Sequence, residues 1–519
     1  MNWLDFFERV DRLPSRAVPM YARICQAVRG GIESGQLPAN TKLPTNRELA
    51  ALLKIDRSTV SRAYLELEKA GLVESHVGRG TFVTQGASGK ERAASPPTGP
   101  AVPWNEVFSR FSQTAFAMLS RQWAASALDA EVISFAGGIP TQEFFPEQEF
   151  REILSHLNRA GQSADMFSYS PSEGHPALRR QLRQYLSEEG PAVGDEELLI
   201  VSGSQQGIDL VAKTLVDPGD VVLIEEPTYV WANCIFSAAQ ARCVPVPVDA
   251  QGLRVDVLES VLSRHSAKLL YVMPTFQNPT GATLSMERRA QLLALARRYR
   301  LPILEDNFVV DLRYDGMPLP SLRALDADRS AVISQGTFSK ALCPGLRLGW
   351  LVAPEPVMVR LRLAKRACDL STNSLAQAVM AEYLRRGLYR RHLELVRSAY
   401  RKRRDAMCNA IVRHLGSQVR WSKPDGGLFL WAALPAGLSS RELLSFAERQ
   451  GVIFSPGDAF FLNGDRQEHL RLSFIQHDEP AIEEGIARLG RALAAYLSTR
   501  TRAGRGLPAL ERGNEAALI

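Results

Sequence analysis

Between residues 19 and 84 the apolar positions recur at helical spacing. In "PMYARICQAVRGGIESG", Tyr21, Ile24, Val28 and Ile32 fall on one face, and Gly35 stands where that helix must stop. In "LPTNRELAALL", Thr45 can cap a short second helix, and Glu48, three positions on, completes a capping box. After a brief turn from Lys54 to Asp56, "RSTVSRAYLELEKAG" turns Val60, Ala63, Tyr64 and Leu67 inward and ends at Gly71. Its outward face carries Arg57, Ser58, Ser61 and Arg62. "LVESHVGRGTFVT" then alternates around a glycine-containing turn, which predicts a hairpin wing with Arg79 at its tip.

The texture changes at Gln85. Residues 85–103, "QGASGKERAASPPTGPAVP", hold Gly, Ser and Pro with almost no large apolar side chain, so they are expected to form a flexible linker. From 104 to about 497 strand-like runs alternate with helical stretches: "ELLIVSG", "DVVLIEEP", "KLLYVMP", "LPILEDN", "SAVISQG" and "RLGWLVA". That order predicts an α/β body with a mainly parallel sheet covered on both faces and ligands at the strand ends. The tail, residues 498–519, is expected to fray.

Composition adds limits. A chain of 519 residues, 45% hydrophobic and 23% charged, suits a globular protein of a few domains. No apolar run reaches membrane-spanning length, and "MNWLDFFERVDRL" has acids where a secretory signal needs positive charge, so a cytoplasmic location is expected. The six cysteines lack paired spacing, which predicts reduced thiols and no metal site. A net charge of +6 is compatible with an anionic partner without demanding one.

The loops after the strand runs carry the chemistry. Ser204 and Gln205 open a helix whose free N–H groups suit a phosphate, and Tyr229 offers a flat face for stacking. Asn278 lies in the turn "QNPTG", and "ILED" delivers Asp306; adjacent strand residues face opposite ways, so only one of Glu305 and Asp306 can serve a ligand. A phosphate, a flat ring and a carboxylate for a ring nitrogen describe pyridoxal phosphate, which also needs a lysine. In "SQGTFSKALCPGLRLGW", Lys340 follows hydroxyl residues and stands seven positions before Arg347, so it is the expected site of the lysine aldimine.

Two resemblances sharpen this reading. "KLPTNRELA", "DRSTVSRAYLELEKAGLV" and "GRGTFV", in that order, resemble the GntR-type winged helix-turn-helix, and imply DNA contacts at Arg47, Arg57, Ser58, Thr59 and Gly78, beside the Arg62 and Arg79 read above. "SGSQQGIDL", "EEPTYVW", "QNPTG", "ILED", "TFSKALCPGLRLGW" and "LRLSF" resemble the class I, fold-type I aminotransferases, with a large and a small domain. That resemblance implies Ser204, Gln205, Thr337 and Arg347 on the phosphate and Tyr229 over the ring. It further implies Asn278 on the phenolic oxygen, Asp306 on the ring nitrogen and Arg471 on the α-carboxylate of an amino-acid ligand. Tyr169 would reach the phosphate of a partner subunit. One departure stands out: the tyrosine common two or three residues after the aspartate is replaced by Phe308 and Val309.

Together the parts resemble the MocR/GabR-like subfamily of GntR regulators. The resemblance implies a PLP-dependent, DNA-binding regulator that senses PLP or an amino compound and binds operator DNA as a head-to-tail homodimer. A working aminotransferase with an attached DNA-binding domain is the alternative. The basic stretch 385–404 is expected to be a long helix with solvated arginines joining the two parts of the aminotransferase fold.

Overall fold

The computed structural model describes residues 3–7, 20–53, 55–76, 80–84, 104–114, 132–161, 163–188, 190–462, 464 and 466–502. The chain divides into two compact units, Met1–Glu106 and Val107–Ile519. The expected linker, 85–103, lies outside the described residues.

The first unit contains helices α1 (Trp3–Phe7), α2 (Met20–Glu33), α3 (Asn46–Leu53) and α4 (Arg57–Lys69), followed by an antiparallel hairpin of β1 (Val73–His76) and β2 (Gly80–Val83). Ile24, Val28, Val60, Ala63, Tyr64 and Leu67 form its core, as the helical spacing requires. The capping box forms in full: the Glu48 N–H donates to Thr45 Oγ1 at 3.2 Å and the Thr45 N–H donates to Glu48 Oε2 at 2.8 Å. Left-handed glycines follow α2 and α4, at Gly35 and Gly71. One element was not expected. Phe7 of α1 is buried in this core, and Phe6 lies so close to Gly31 that a Cβ there would stand 2.5 Å from the ring. The winged unit therefore draws on residues well before the boundary at 19 that periodicity suggests, because a five-residue helix is too short to show a period.

The second unit is built on an eight-stranded sheet. In chain order, after the short separate strand β3 (Ile133–Ser134), its strands are β4 (Leu198–Val201), β5 (Val221–Glu226), β6 (Arg242–Asp249), β7 (Gly252–Leu253), β8 (Ala267–Val272), β9 (Ile303–Asp306), β10 (Val332–Thr337) and β11 (Gly349–Val352). Their spatial order is β4-β11-β10-β9-β8-β5-β6-β7. The pairs from β10 across to β6 are parallel, while β11 runs antiparallel to both neighbours. All six expected runs are strands. Two strands were missed in the sequence, the two-residue β7 and β6, which contains Pro245 and Pro247 that a central strand would exclude. Its far side meets β7 only at Val248 and Asp249, so both prolines stand where no further ladder partner is needed.

The smaller part carries a four-stranded sheet of Arg420–Trp421, Phe429–Ala433, Ser455–Pro456 and His469–Ser473. Helix Leu388–His414 is as long as expected, but its basic side chains are not all solvated. Arg404 is fully buried, paired with Asp315 at 2.7 Å and Asp405 at 2.8 Å, and Arg403 reaches Glu143 at 2.6 Å and the Ile475 carbonyl at 2.7 Å. Two of these carboxylates, Glu143 and Asp315, are distant in sequence, which a local charge count cannot reveal. The last helix continues to Arg502, through the first residues of the expected tail. Five cysteines are buried or half-buried as expected, and Cys368 is exposed. Among the described residues no helix is long and apolar enough to cross a membrane.

Candidate functional site

Asp306 closes β9 and is buried. Its Oδ2 accepts the Tyr271 hydroxyl at 2.8 Å, while Oδ1 has no hydrogen-bond partner. Burial pushes its carboxyl up to about 6. Glu305 turns the other way, accepting the backbone N–H groups of Leu322 at 2.6 Å and Arg323 at 3.3 Å. Of the two adjacent acids, Glu305 is therefore engaged by the backbone and Asp306 keeps a free oxygen.

Lys340 follows β10. Its Nζ donates to the Gly138 carbonyl at 2.8 Å, and burial, reinforced by the nearby Arg471 and Arg347 cations, lowers its ammonium to about 8. Thr337, at the end of β10, donates its hydroxyl to the Leu348 carbonyl at 3.0 Å and accepts the Ser339 N–H at 3.1 Å. Arg347 adopts the left-handed region at φ 51° and donates to Ser339 Oγ at 3.4 Å and to the Ser202 carbonyl at 3.0 Å. The next residue, Gly203, has φ 86°, and a Cβ there would stand 2.7 Å from Arg347 Nη2. Helix Ser204–Leu215 starts immediately after it, so the helix N-terminus, hydroxyls and a guanidinium share one cup. That combination suits a dianion.

The remaining groups stand around these. Tyr229 donates its hydroxyl to Gln205 Oε1 at 3.0 Å, and burial raises its phenol above the ordinary value. Arg471, on strand His469–Ser473, donates to Asn278 Oδ1 at 2.8 Å, to the Ala136 carbonyl at 2.8 Å and to Ser455 Oγ at 3.2 Å. Its guanidinium lies between the rings of Phe429, at 4.0 Å, and Phe460, at 4.7 Å. Burial lowers it to about 9. None of these contacts is a carboxylate. Tyr169 is not part of this cluster; it is 84% exposed. Phe308 and Val309 are both buried in the apolar core.

Three groups at the site were not singled out in the sequence, Tyr271, Gln335 and the Gly138 carbonyl, and Ser339 was read as part of the lysine motif without a role of its own. Tyr271 and Gln335 depend on strand register, with Gln335 opposite Asp306 between β10 and β9.

In the first unit, Arg47, Arg57, Ser58 and Arg62 are exposed and Thr59 is half-buried. Asp56 caps α4 by accepting the Ser58 N–H at 3.0 Å and the Ser58 hydroxyl at 3.1 Å. Asn46 Nδ2 donates to Ser61 Oγ at 2.9 Å, joining the start of α3 to the exposed face of α4. The Arg62 guanidinium lies 4.2 Å from the centre of the Tyr21 ring. Gly78 and Arg79 lie outside the described residues.

The family described as aminotransferase class I and II matches residues 130–489. The chain belongs to that family. The bacterial regulatory proteins of the gntR family match residues 20–83, the winged unit. Among relatives, 2-aminoadipate transaminase of Thermus thermophilus is 38% identical over 76% of this chain and 98% of its own length. The probable rhizopine catabolism regulatory protein MocR of Rhizobium meliloti is 30% identical over 93% of this chain and 95% of its own. This aminotransferase-family chain thus has the two-part layout of the MocR-like gntR regulators. Among solved structures, α-aminoadipate aminotransferase LysN of Thermus thermophilus, complexed with N-(5'-phosphopyridoxyl)-L-leucine, gives a TM-score of 0.71 at 37% identity, covering 76% of this chain and 99% of that one.

The family's cofactor is pyridoxal phosphate, and the residues present fit it. The unpartnered Asp306 Oδ1 can accept a ring N–H, the cup around Arg347 is open only because Gly203 lacks a side chain, and the buried Lys340 lies close enough to Arg347 and Arg471 to feel their charge.

Proposed function

We propose that this chain is a PLP-dependent transcription regulator that acts in the cytoplasm as a head-to-tail homodimer, with an amino compound or PLP itself as effector. One observation carries the reading: the same chain joins an exposed, capped helix face suited to DNA with a buried lysine and arginine suited to an amino acid. A recognition helix of this type reads base edges in the major groove, and basic side chains hold the phosphates.

When bound, the cofactor supplies a carbonyl that condenses with primary amines and a ring that draws electron density from the adduct. This chain's residues bind and orient. Ser204, Gln205, Thr337 and Arg347, with Ser339, hold the phosphate; Tyr229 lies over the ring; Asn278 donates to the phenolic oxygen. Asp306 keeps a proton on the ring nitrogen. Lys340 provides the amine, more readily deprotonated than a solvated lysine because burial lowers its ammonium to about 8. Arg471 grips the carboxylate of the effector in a slot from which Phe429 and Phe460 exclude water. Tyr169, exposed in the single chain, would serve the phosphate of a second copy. With Phe308 and Val309 apolar, the chain lacks a hydroxyl donor common in turnover enzymes, which favours sensing over rapid transamination.

The test is Lys340→Ala. The variant should lose the visible absorbance of the bound cofactor, keep basal operator binding, and lose the effector's influence on it, a coupling of about 1–3 kcal/mol in typical cases. An operator affinity that still responds to the effector in this variant overturns the sensing mechanism.

The second reading, a working aminotransferase, is favoured by the 38% identity to 2-aminoadipate transaminase. Rapid multiple turnover by the wild type, with no effect of substrate on operator binding, would establish it instead.

A further inference from the structure

We infer that Tyr271 is a positioning residue for the cofactor, holding the Asp306 carboxylate so that Oδ1 is the oxygen presented to the ring nitrogen. The inference rests on the reading of Asp306 as the ring-nitrogen partner. Tyr271 projects from β8, between β5 and β9 in the sheet, opposite Ile224 and Leu304 in register. It is fully buried, and its hydroxyl donates to Oδ2 at 2.8 Å while Oδ1 has no partner. The two oxygens of one carboxylate are thereby made unequal.

The surroundings leave the hydroxyl as a donor. Burial and the adjoining Asp306 charge hold the Tyr271 phenol well above its ordinary range, so it keeps its proton. The other titratable groups that face Asp306 are Glu225 from β5, Glu305 beside it and Tyr229 from the loop after β5. Of these, Glu225 is occupied by the Met273 N–H at 3.0 Å and Gln277 Nε2 at 3.3 Å, and Tyr229 donates to Gln205. Neither is free to replace the Tyr271 hydroxyl; the Gln335 amide and the Phe308 N–H also favour the ionised carboxylate, each less than Tyr271 does.

The direction of its effect follows. A hydrogen bond to the ionised form of a carboxylate favours that form. Without it, Asp306 becomes more basic and draws the shared proton away from the ring nitrogen. The ring then withdraws less electron density, and the nitrogen joined to Lys340 becomes more basic.

The experiment uses the PLP-loaded full chain and follows the visible absorbance band against pH. Tyr271→Phe keeps the ring and removes the hydroxyl. Its titration midpoint should rise by about one unit, tenfold in the proton equilibrium, with faster PLP release. Phe236→Leu is the control: Phe236 packs 6.0 Å from the Tyr271 ring, so its loss loosens the packing but keeps the hydroxyl. It should lower the melting temperature and leave the midpoint in place. A Tyr271→Phe midpoint equal to wild type, or an equal shift in Phe236→Leu, overturns the inference alone. A wild type with no visible band on PLP addition overturns the reading of the site and this inference with it.

Discussion

Arg471 Nη1 donates to Asn278 Oδ1 at 2.8 Å, across 193 residues of chain. One residue belongs to the small sheet and the other to a turn beside the large sheet, so the group proposed for the effector's carboxylate touches the group proposed for the cofactor's ring.

Arg471→Gln should therefore weaken amino-acid ligands far more than PLP. Loss of a charge-assisted contact is worth about 1.5–3 kcal/mol, or roughly 10- to 150-fold in affinity. Spectral titration of the PLP-loaded variant with a panel of amino acids reads both effects. Equal losses for amino acids and for amines without a carboxylate would remove Arg471 from the carboxylate role.

The lowered Lys340 ammonium sets a pH window. Capture of PLP by the cofactor-free protein should quicken with pH and level off above about 8, whereas a solvated lysine would keep gaining to about 10.4. The same shift acts on stability. Between about 8 and 10.5 the folded chain binds fewer protons at this site than the unfolded chain, so stability rises with pH across that window. Lys340→Met should abolish both the capture and this rise, read by stopped-flow absorbance and by denaturant melts at pH 7.5 and 10.

Arg57 stands exposed at the start of α4. Arg57→Ala should reduce operator affinity and, if Arg57 meets a phosphate, lower the slope of log affinity against log salt by about 1. PLP absorbance should be unchanged. Unaltered affinity at every salt concentration would take Arg57 out of the interface.

The capping box gives a stability prediction confined to the winged unit. Thr45→Ala removes one of two reciprocal hydrogen bonds at the start of α3 and should cost about 1 kcal/mol. Hydrogen exchange on the full chain should show faster exchange at the α3 amides and no change in β4 or β9.

Much of this molecule was legible because local chemistry repeated the global answer. Thr45 and Glu48 announced a helix start, six apolar runs announced six strands, and a lysine between hydroxyls and an arginine pointed to the proposed cofactor site. What escaped depended on partners distant in sequence. Arg403 and Arg404 read as solvated until Glu143, Asp315 and the Ile475 carbonyl enclosed them. Strand β6 was hidden by prolines that only a sparsely paired side tolerates, and Tyr271 looked like one more apolar strand residue until register placed its hydroxyl on Asp306. The five residues of α1 carried too little periodicity to be assigned to any core.

Gly203 carries an evolutionary consequence. The space beside Arg347 exists because this residue has no side chain, and its left-handed backbone suits glycine in any case. A single codon change to alanine would place a methyl group against the guanidinium without touching α4 or the exposed arginines of the first unit. A lineage released from the need to respond to a ligand could thus go blind at one position and still recognise its operator. On the proposed function, Gly203→Ala would silence the ligand site and leave the operator-binding surface as it is.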